Sequence, residues 1–177
     1  LQKNNIPEDK FKKLWEENAI KSFYDSKEII FFKRILQREL NLGLRKKIIR
    51  KLFKKYVNIQ FSEFNKSLYM SKKDLEQLYQ EKMTIGNHTF NHFWLSTLKK
   101  DLQKKEISKS FSYLKSIGVN KNNLVMCYPY GSYNDITIEI LREINCQIGF
   151  TTNHGFAELS GNNLLELNRI DTNEIDY

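Results

Sequence analysis

Residues 124–152 read LVMCYPYGSYNDITIEILREINCQIGFTT. Two short apolar runs at the ends of this stretch predict strands, over Leu124–Tyr128 and Gln147–Thr152. Between them, Asn134 is placed to cap a helix over Asp135–Asn145. A strand, a helix and a second strand in succession favour parallel strands joined by a helical crossover. The stretch therefore predicts an α/β fold.

The same alternation continues on both sides of this stretch. Upstream, a strand is predicted over Met83–Gly86, followed by a long helix from Ser96 to about Ile117. Gly118 then stands where a C-cap glycine is expected. Downstream, a fourth strand is predicted over Leu164–Leu167. The α/β prediction thus extends over the second half of the chain.

The first part of the chain is predicted to form helices. Ser26 opens a helix that Asn41 and Gly43 end. Ser71 caps a later helix, with Asp74 three residues on, which is the pattern of a capping box. We predict two regions: a helical, basic segment over residues 1–67 and an α/β core over residues 68–177.

The positive charge lies in the first half. The 177 residues carry 29 Lys and Arg against 21 Asp and Glu, a net charge of +8. Residues 1–82 hold 20 of those bases against 11 acids, whereas residues 83–177 hold 9 against 10. The densest run contains Arg45, Lys46, Lys47, Arg50, Lys51, Lys54 and Lys55. This run fits a solvated helix face, and it also fits a patch for an anionic membrane surface, an acidic glycan or nucleic acid.

The composition excludes several classes of protein. With 40% hydrophobic residues, 7 Gly and 2 Pro, the chain is neither of low complexity nor collagen-like. No apolar run approaches the length of a membrane-spanning helix. The two cysteines, Cys127 and Cys146, are too few for a disulfide framework or a closed zinc knuckle. We predict that both are plain buried thiols.

Two histidines stand where α/β folds place their sites. His88 and His92 directly follow the predicted strand over Met83–Gly86. On a helical turn, a spacing of four residues puts two side chains on one face, about 5–6 Å apart at Cβ. That spacing suits two ligands of one metal ion. By itself it fits two unrelated loop histidines equally well.

The second candidate is the turn over residues 128–134, which read YPYGSYN. It follows one predicted strand and precedes a predicted helix. Pro129 stiffens the turn, and Gly131 lets a backbone or a substrate come close. Main-chain N–H groups in such a turn can face a developing oxyanion. An ordinary capped connection fits the turn alone as well.

Together the two motifs are more specific. Residues 85–92, which read IGNHTFNH, and residues 128–134 resemble the polysaccharide deacetylase family, the NodB-homology domain of carbohydrate esterase family 4. The family's His-Ser/Thr-x-x-His motif is complete here. Residues 149–152 and 167–171 look like the tail of the branch that acts on exported or surface polysaccharides. The resemblance covers roughly residues 68–173.

The resemblance implies an incomplete, deformed (β/α) barrel, with residues 1–67 as an N-terminal helical insertion within the domain. It also implies metal-dependent hydrolysis of acetyl groups from a capsule, lipopolysaccharide or other surface glycan. His88 and His92 match the two histidine ligands of a divalent metal, which we expect to be Zn²⁺. The main-chain N–H of Tyr130 matches a donor to the oxyanion.

Further roles follow from the same resemblance. His154 is a candidate for the acid that protonates the leaving amine. Contact with substrate is expected of Tyr128, Pro129, Gly131 and Arg169. Arg169 fits an orienting role in the site, and it fits a surface ion pair equally well.

One family motif has no match. Thr-Phe-Asp-Asp supplies the family's base and third metal ligand, and this sequence contains no Asp-Asp pair. We therefore expect an N-terminally truncated fragment that is inactive alone. The alternative is a catalytically inactive glycan-binding or scaffold member of the same fold. Nucleic-acid binding lacks a supporting motif. The sequence does not distinguish between the bacterial cytoplasm and the cell envelope as the compartment of this protein.

Overall fold

A computed structural model describes residues 7–22, 24–57, 59–161 and 163–175. The chain divides into two compact units, Leu1–Phe61 and Ser62–Tyr177. The predicted functional division after residue 67 remains a prediction. Over the described residues, no helix combines the length and the apolar character needed to cross a bilayer.

The first unit is helical, as predicted. Its helices are α1 (Glu8–Asn18), α2 (Lys27–Arg34), which continues as a π-helical turn over Ile35–Glu39, and α3 (Leu42–Tyr56). An aromatic cluster joins α1 to α2. The ring centroids of Trp15 and Phe31 lie 4.9 Å apart, and those of Phe11 and Phe31 lie 5.7 Å apart. Phe31 is buried, so this cluster forms the apolar centre of the two helices.

Helix α3 carries the basic run, and none of its residues is buried. Asn41 begins this helix, because its Oδ1 accepts a hydrogen bond from the Leu44 N–H at 2.9 Å. Gly43, expected to end the preceding helix, lies inside the first turn of α3. The contact of the basic run with an anionic membrane surface or an acidic glycan remains a prediction.

The second unit alternates helices and strands. Its elements are α4 (Phe61–Leu68, beginning on the last residue of the first unit), α5 (Lys72–Gln80), α6 (Lys100–Ser116), β1 (Val125–Cys127), α7 (Asp135–Glu143), β2 (Ile148–His154) and β3 (Leu167–Arg169). Both predicted caps are confirmed. Ser71 with Asp74 forms a capping box on α5, and Asn134 with Thr137 forms one on α7.

The three strands form one parallel sheet in the order β1-β2-β3. Val125 pairs with Ile148, and Phe150 pairs with Leu167. Within the described residues the sheet does not close on itself. The fold is therefore the predicted one, an incomplete (β/α) barrel of the α/β class.

The segment predicted as the first strand forms no strand. Only Asn87, just past its end, bridges to Met126 of β1. The Asn87 N–H donates to the Val125 carbonyl at 2.7 Å, and the Asn87 carbonyl accepts from the Cys127 N–H at 2.8 Å. Met83 is 57% exposed. The apolar run from Met83 to Gly86 therefore approaches the sheet only at its C-terminal end. Its residues form no backbone pairs with a strand.

Helices α6 and α7 share the core with β1. The predicted helix from Ser96 begins later, at Lys100, because Leu95–Thr97 form a separate 3₁₀ turn. The buried core includes Leu95, Ile107, Phe111, Leu114, Leu124, Met126, Ile140 and Leu141. Two exposed ion pairs, Lys100–Glu139 and Lys104–Glu143, link the outer faces of the helices at 2.8 Å each.

We predict that Gly149→Ala destabilises the protein by about 3 kcal/mol. A Cβ at Gly149 would lie 2.2 Å from the Leu165 carbonyl oxygen and 2.6 Å from the Tyr128 hydroxyl, so β2 must shift. The matched control is Gly86→Ala, whose Cβ would lie 3.6 Å from Val125, an ordinary contact. Urea unfolding followed by circular dichroism measures both. Equal losses in the two variants would contradict this account of β2.

Candidate functional site

Asn87 anchors the loop of residues 88–92, which we call the histidine loop. The backbone of Asn87 pairs with β1, and the Asn87 side chain is buried. The Nδ2 group donates to the Ile107 carbonyl at 3.3 Å, and Oδ1 accepts from the Thr89 N–H at 2.7 Å. Since backbone and side chain are both hydrogen bonded, Asn87 directs His88 to the C-terminal end of β1.

The imidazole of His88 is held by the backbone. Its Nδ1 lies 2.6 Å from the carbonyl oxygen of Cys127. A carbonyl only accepts, so Nδ1 carries the proton and donates it. In the neutral ring this leaves the lone pair on Nε2. A histidine ligand oriented in this way is typical of metal sites.

His92 completes the pair. Its Nε2 lies 2.8 Å from the Nε2 of His88, and the ring centroids are 4.6 Å apart. Burial lowers the pKa of His92, and the neighbouring His88 lowers it further. This shift favours the neutral form of His92, and metal binding requires a neutral imidazole. The predicted close approach of the two imidazoles at a strand end is confirmed.

The route between the histidines is not the helical turn that the spacing suggested. Thr89 and His92 adopt left-handed backbone angles, with φ of +61° and +56°. The His92 N–H donates to Oγ1 of Thr89 at 3.1 Å, which closes the loop. The spacing of four residues thus brings the rings together through a tight left-handed loop.

The Pro129–Gly131 turn lies beside the histidine pair, as predicted. The Tyr130 ring meets the His92 ring edge to face at 4.6 Å and stacks on Trp94 at 4.8 Å. Tyr130 has a φ of +59°, and Gly131 has a φ of +65°. A Cβ on Gly131 would lie 2.0 Å from Oγ1 of Thr152, so only glycine fits against β2 here.

A pair of serines joins the turn to the segment after the histidine loop. Ser132 is buried, and its Oγ accepts from the Ser96 N–H at 3.1 Å. The two hydroxyl oxygens lie 2.7 Å apart. Two segments 36 residues apart in sequence are therefore joined by side-chain hydrogen bonds.

Tyr128 and Pro129 lie below the turn, in the core. Tyr128 is 2% exposed and donates its hydroxyl proton to the Leu165 carbonyl at 2.6 Å. Burial raises the pKa of Tyr128 well above its usual range. Pro129 is also fully buried. Side chains in these positions support the turn from beneath.

Arg169 and His154 lie at the same edge of the sheet, where β3 and β2 end. The two residues pair across the strands. The Arg169 Nε donates to the Thr151 carbonyl at 2.7 Å.

The predicted burial of the two thiols holds fully for Cys146, whereas Cys127 is half-buried. Burial raises the pKa of the Cys127 thiol, and the positive charge of Arg169 opposes that shift.

The histidine pair fits two positions of a divalent metal site. Two nitrogens on one tetrahedral zinc lie about 3.4 Å apart, so the observed 2.8 Å needs only a small opening. Over the described parts of the chain, no group of three or more His, Cys, Asp or Glu side chains is placed to hold a metal ion. A structural zinc site has four ligands, so two histidines match only two of its positions.

Sequence reasoning missed three contributors to this site. Ser132 stands inside the quoted turn and Trp94 two residues after the quoted histidine motif, so their side chains were visible signals. The carbonyl of Cys127 gave none, because every residue has an equivalent main-chain carbonyl. Only the pairing of Asn87 with β1 brings that oxygen to His88.

Comparison with known proteins points to one family. A family model described as polysaccharide deacetylase matches residues 46–149, more than half of the chain. YxkH of Bacillus subtilis (strain 168), named as a polysaccharide deacetylase, is 25% identical over 89 residues, which cover 50% of this chain and 32% of YxkH.

A solved structure is similar as well. The Streptococcus pyogenes deacetylase PplD, in complex with acetate, is 36% identical with a TM-score of 0.54. The match covers 61% of this chain and 47% of PplD. The chain thus spans half or less of the length of these relatives.

We predict that Ser132→Ala costs about 1–2 kcal/mol, because it removes both hydrogen bonds to Ser96. Ser96→Ala should cost less, since its backbone donor remains. The double variant should cost no more than Ser132→Ala alone, a coupling of about 1 kcal/mol. Denaturant unfolding measures all three, with the exposed Ser116→Ala as control. Strictly additive costs would contradict the serine link.

Proposed function

This chain belongs to the polysaccharide deacetylase family, and from that premise we propose that its histidine pair forms part of a metal centre for removing acetyl groups from a surface polysaccharide. One observation carries the proposal. The Nε2 atoms of His88 and His92 approach to 2.8 Å beside the Pro129–Gly131 turn. Exposed, convergent imidazoles suit a divalent cation, which we propose to be Zn²⁺.

The proposed reaction is hydrolysis. The oxygen of water bonds to the acetyl carbon, the bond from that carbon to the sugar nitrogen or oxygen breaks, and a proton reaches the leaving atom. The products are acetate and a free amine or hydroxyl. A divalent cation, when bound, supplies Lewis acidity toward the acetyl carbonyl.

The chain's own residues have separate roles in this proposal. His88 is oriented by its bond to the Cys127 carbonyl, which keeps Nε2 available. The main-chain N–H of Tyr130 is proposed to donate to the oxyanion. Gly131 lets the turn come close to β2, and Tyr128 with Pro129 supports it from the core.

Two residues at the sheet edge are proposed to act on the polysaccharide. His154, exposed at the end of β2, is proposed to protonate the leaving group. Arg169 is proposed to orient the substrate, with its Nε bond to the Thr151 carbonyl limiting its movement. Both proposals draw on the position of these residues at the C-terminal ends of parallel strands.

The reaction also needs a base and a further metal ligand. The sequence contains no Asp-Asp pair to supply them. This observation favours a second candidate function, a member of the same fold that binds an acetylated glycan without cleaving it. The two candidates differ in whether acetate is released.

We predict that His88→Ala and His92→Ala each lower the affinity for Zn²⁺ at least about ten-fold, because each removes one of two convergent nitrogens. Equilibrium dialysis with metal analysis by mass spectrometry measures this. His154→Ala is the control and should bind as the unmodified chain does. Unchanged affinity in both variants of the pair would refute the metal site.

We also predict that the 177-residue chain alone releases no acetate from an acetylated chito-oligomer with Zn²⁺ present. The physical reason is that the histidine pair lacks a base and a third ligand. Acetate is assayed against a blank of metal and oligomer. Release above the blank would show that other residues of this chain complete the site. Oligomer binding without release would favour the glycan-binding candidate.

A further inference from the structure

Glu106 contacts the histidine loop at two points. It lies on α6 and is buried, with 7% of its surface exposed. Its Oε2 accepts from the backbone N–H of Asn91 at 2.7 Å, and its Oε1 accepts from Nδ2 of Asn91 at 2.6 Å. Both carboxylate oxygens are therefore used by one residue of the loop.

The contact pairs two acceptor oxygens with two donors. A buried carboxylate is unfavourable unless donors surround it, and here two short bonds from Asn91 satisfy it. A glutamine at position 106 has one acceptor and one donor at its end. It keeps the bond to the backbone N–H and donates to Oδ1 of Asn91 when the Asn91 amide turns over, so glutamine is a conservative change here. In the native contact, the two acceptors of Glu106 face the two donors of Asn91.

Side-chain hydrogen bonds to backbone N–H groups hold the loop near both of its ends. At one end, Oδ1 of Asn87 accepts from the Thr89 N–H; toward the other end, Glu106 holds Asn91, directly before His92. Thr89 and His92 both have positive φ. Such conformations persist in residues other than glycine only where the surrounding contacts impose them.

We infer that Glu106 is a positioning residue: by clamping Asn91 to α6 it holds the His92 ring against His88 in the geometry that binds metal. The metal part of this inference rests on the proposed function. The contact between Glu106 and Asn91 forms in the loop without metal. Glu106 acts through Asn91 and is not proposed to touch substrate or metal.

Three variants test the clamp by exchanging donors and acceptors. Asn91→Asp places two carboxylates opposite one another, whereas Glu106→Gln keeps the contact when the Asn91 amide turns over. In the double variant Glu106→Gln/Asn91→Asp, the glutamine amide faces the new carboxylate and its oxygen still accepts the backbone N–H. The clamp is then restored with the roles of the side chains reversed.

Two measurements on the metal-free chain report on the loop. Nuclear Overhauser contacts between the rings of His88 and His92 report their proximity, and hydrogen exchange reports the Asn91 amide. We expect Asn91→Asp to weaken the ring contacts and to speed exchange at Asn91, and Glu106→Gln to change both little. Zn²⁺ affinity, measured by chelator competition, should fall about 10-fold or more in Asn91→Asp. The double variant should recover most of all three.

The matched control is Gln103→Met. Gln103 is fully buried on the same helix, and it bonds to the Leu98 carbonyl and to Thr137, away from the histidine loop. The Gln103→Met variant should lower the melting temperature without changing the ring contacts, the Asn91 exchange or the Zn²⁺ affinity. A general loss of stability is thereby separated from a loss of positioning.

The outcomes are distinct. If Glu106→Gln fails to fold, the exposed Asn91→Asp still breaks the contact from the loop side. If the unmodified chain fails to bind Zn²⁺, the proposed function fails, whereas the ring contacts and amide exchange still decide the clamp. Unchanged ring contacts and exchange in Asn91→Asp, or a double variant no better than Asn91→Asp, would overturn the inference.

Discussion

The site depends on one backbone interaction, the parallel pairing of Asn87 with β1. Cys127 at the end of β1 takes part twice: its N–H donates to the Asn87 carbonyl, and its own carbonyl accepts from Nδ1 of His88. The same residue therefore sets where the histidine loop begins and how its first imidazole points. Backbone groups impose this geometry more firmly than side chains, because they have fewer free torsions.

Backbone strain is concentrated around the histidine pair. Thr89, His92 and Tyr130 all have positive φ although none is glycine. Each such residue carries an energetic cost of about 1–3 kcal/mol, which the rest of the fold must offset. Neighbouring contacts do so locally: Thr89 bonds to Asn87 and His92, and Tyr130 packs between the His92 and Trp94 rings. A strained loop in an otherwise regular α/β unit is typical of a functional site.

The two motif segments behave as one structural element. Tyr130 stacks between residues of the other segment, and Ser132 bonds to Ser96. Hydrogen bonds and ring contacts between loops restrict their independent movement, which preserves the distance between the proposed metal position and the proposed oxyanion donor. This coupling explains why the motifs are informative as a pair and ambiguous when taken singly.

Local signals in the sequence were sufficient for much of the architecture. The caps at Ser71 and Asn134 follow from hydrogen bonding within four residues, and the parallel strands follow from the alternation of apolar runs with helical patterns. The histidine pair and the Pro129–Gly131 turn were predicted to meet because both follow strands. The expected strand over Met83–Gly86 was wrong, because an apolar run does not reveal whether a neighbouring strand is there to pair with it.

The sequence by itself thus determined the fold class, the family motifs and the end of the sheet that carries them, since each depends on residue types at short spacing. The tertiary structure alone decided which way the His88 ring faces, that the loop reaches His92 through left-handed backbone, and that Glu106 holds Asn91 from 15 residues away. These features arise from contacts between segments distant in the chain. Their carbonyl, amide and carboxylate partners become neighbours only when the core of α6, β1 and α7 has packed.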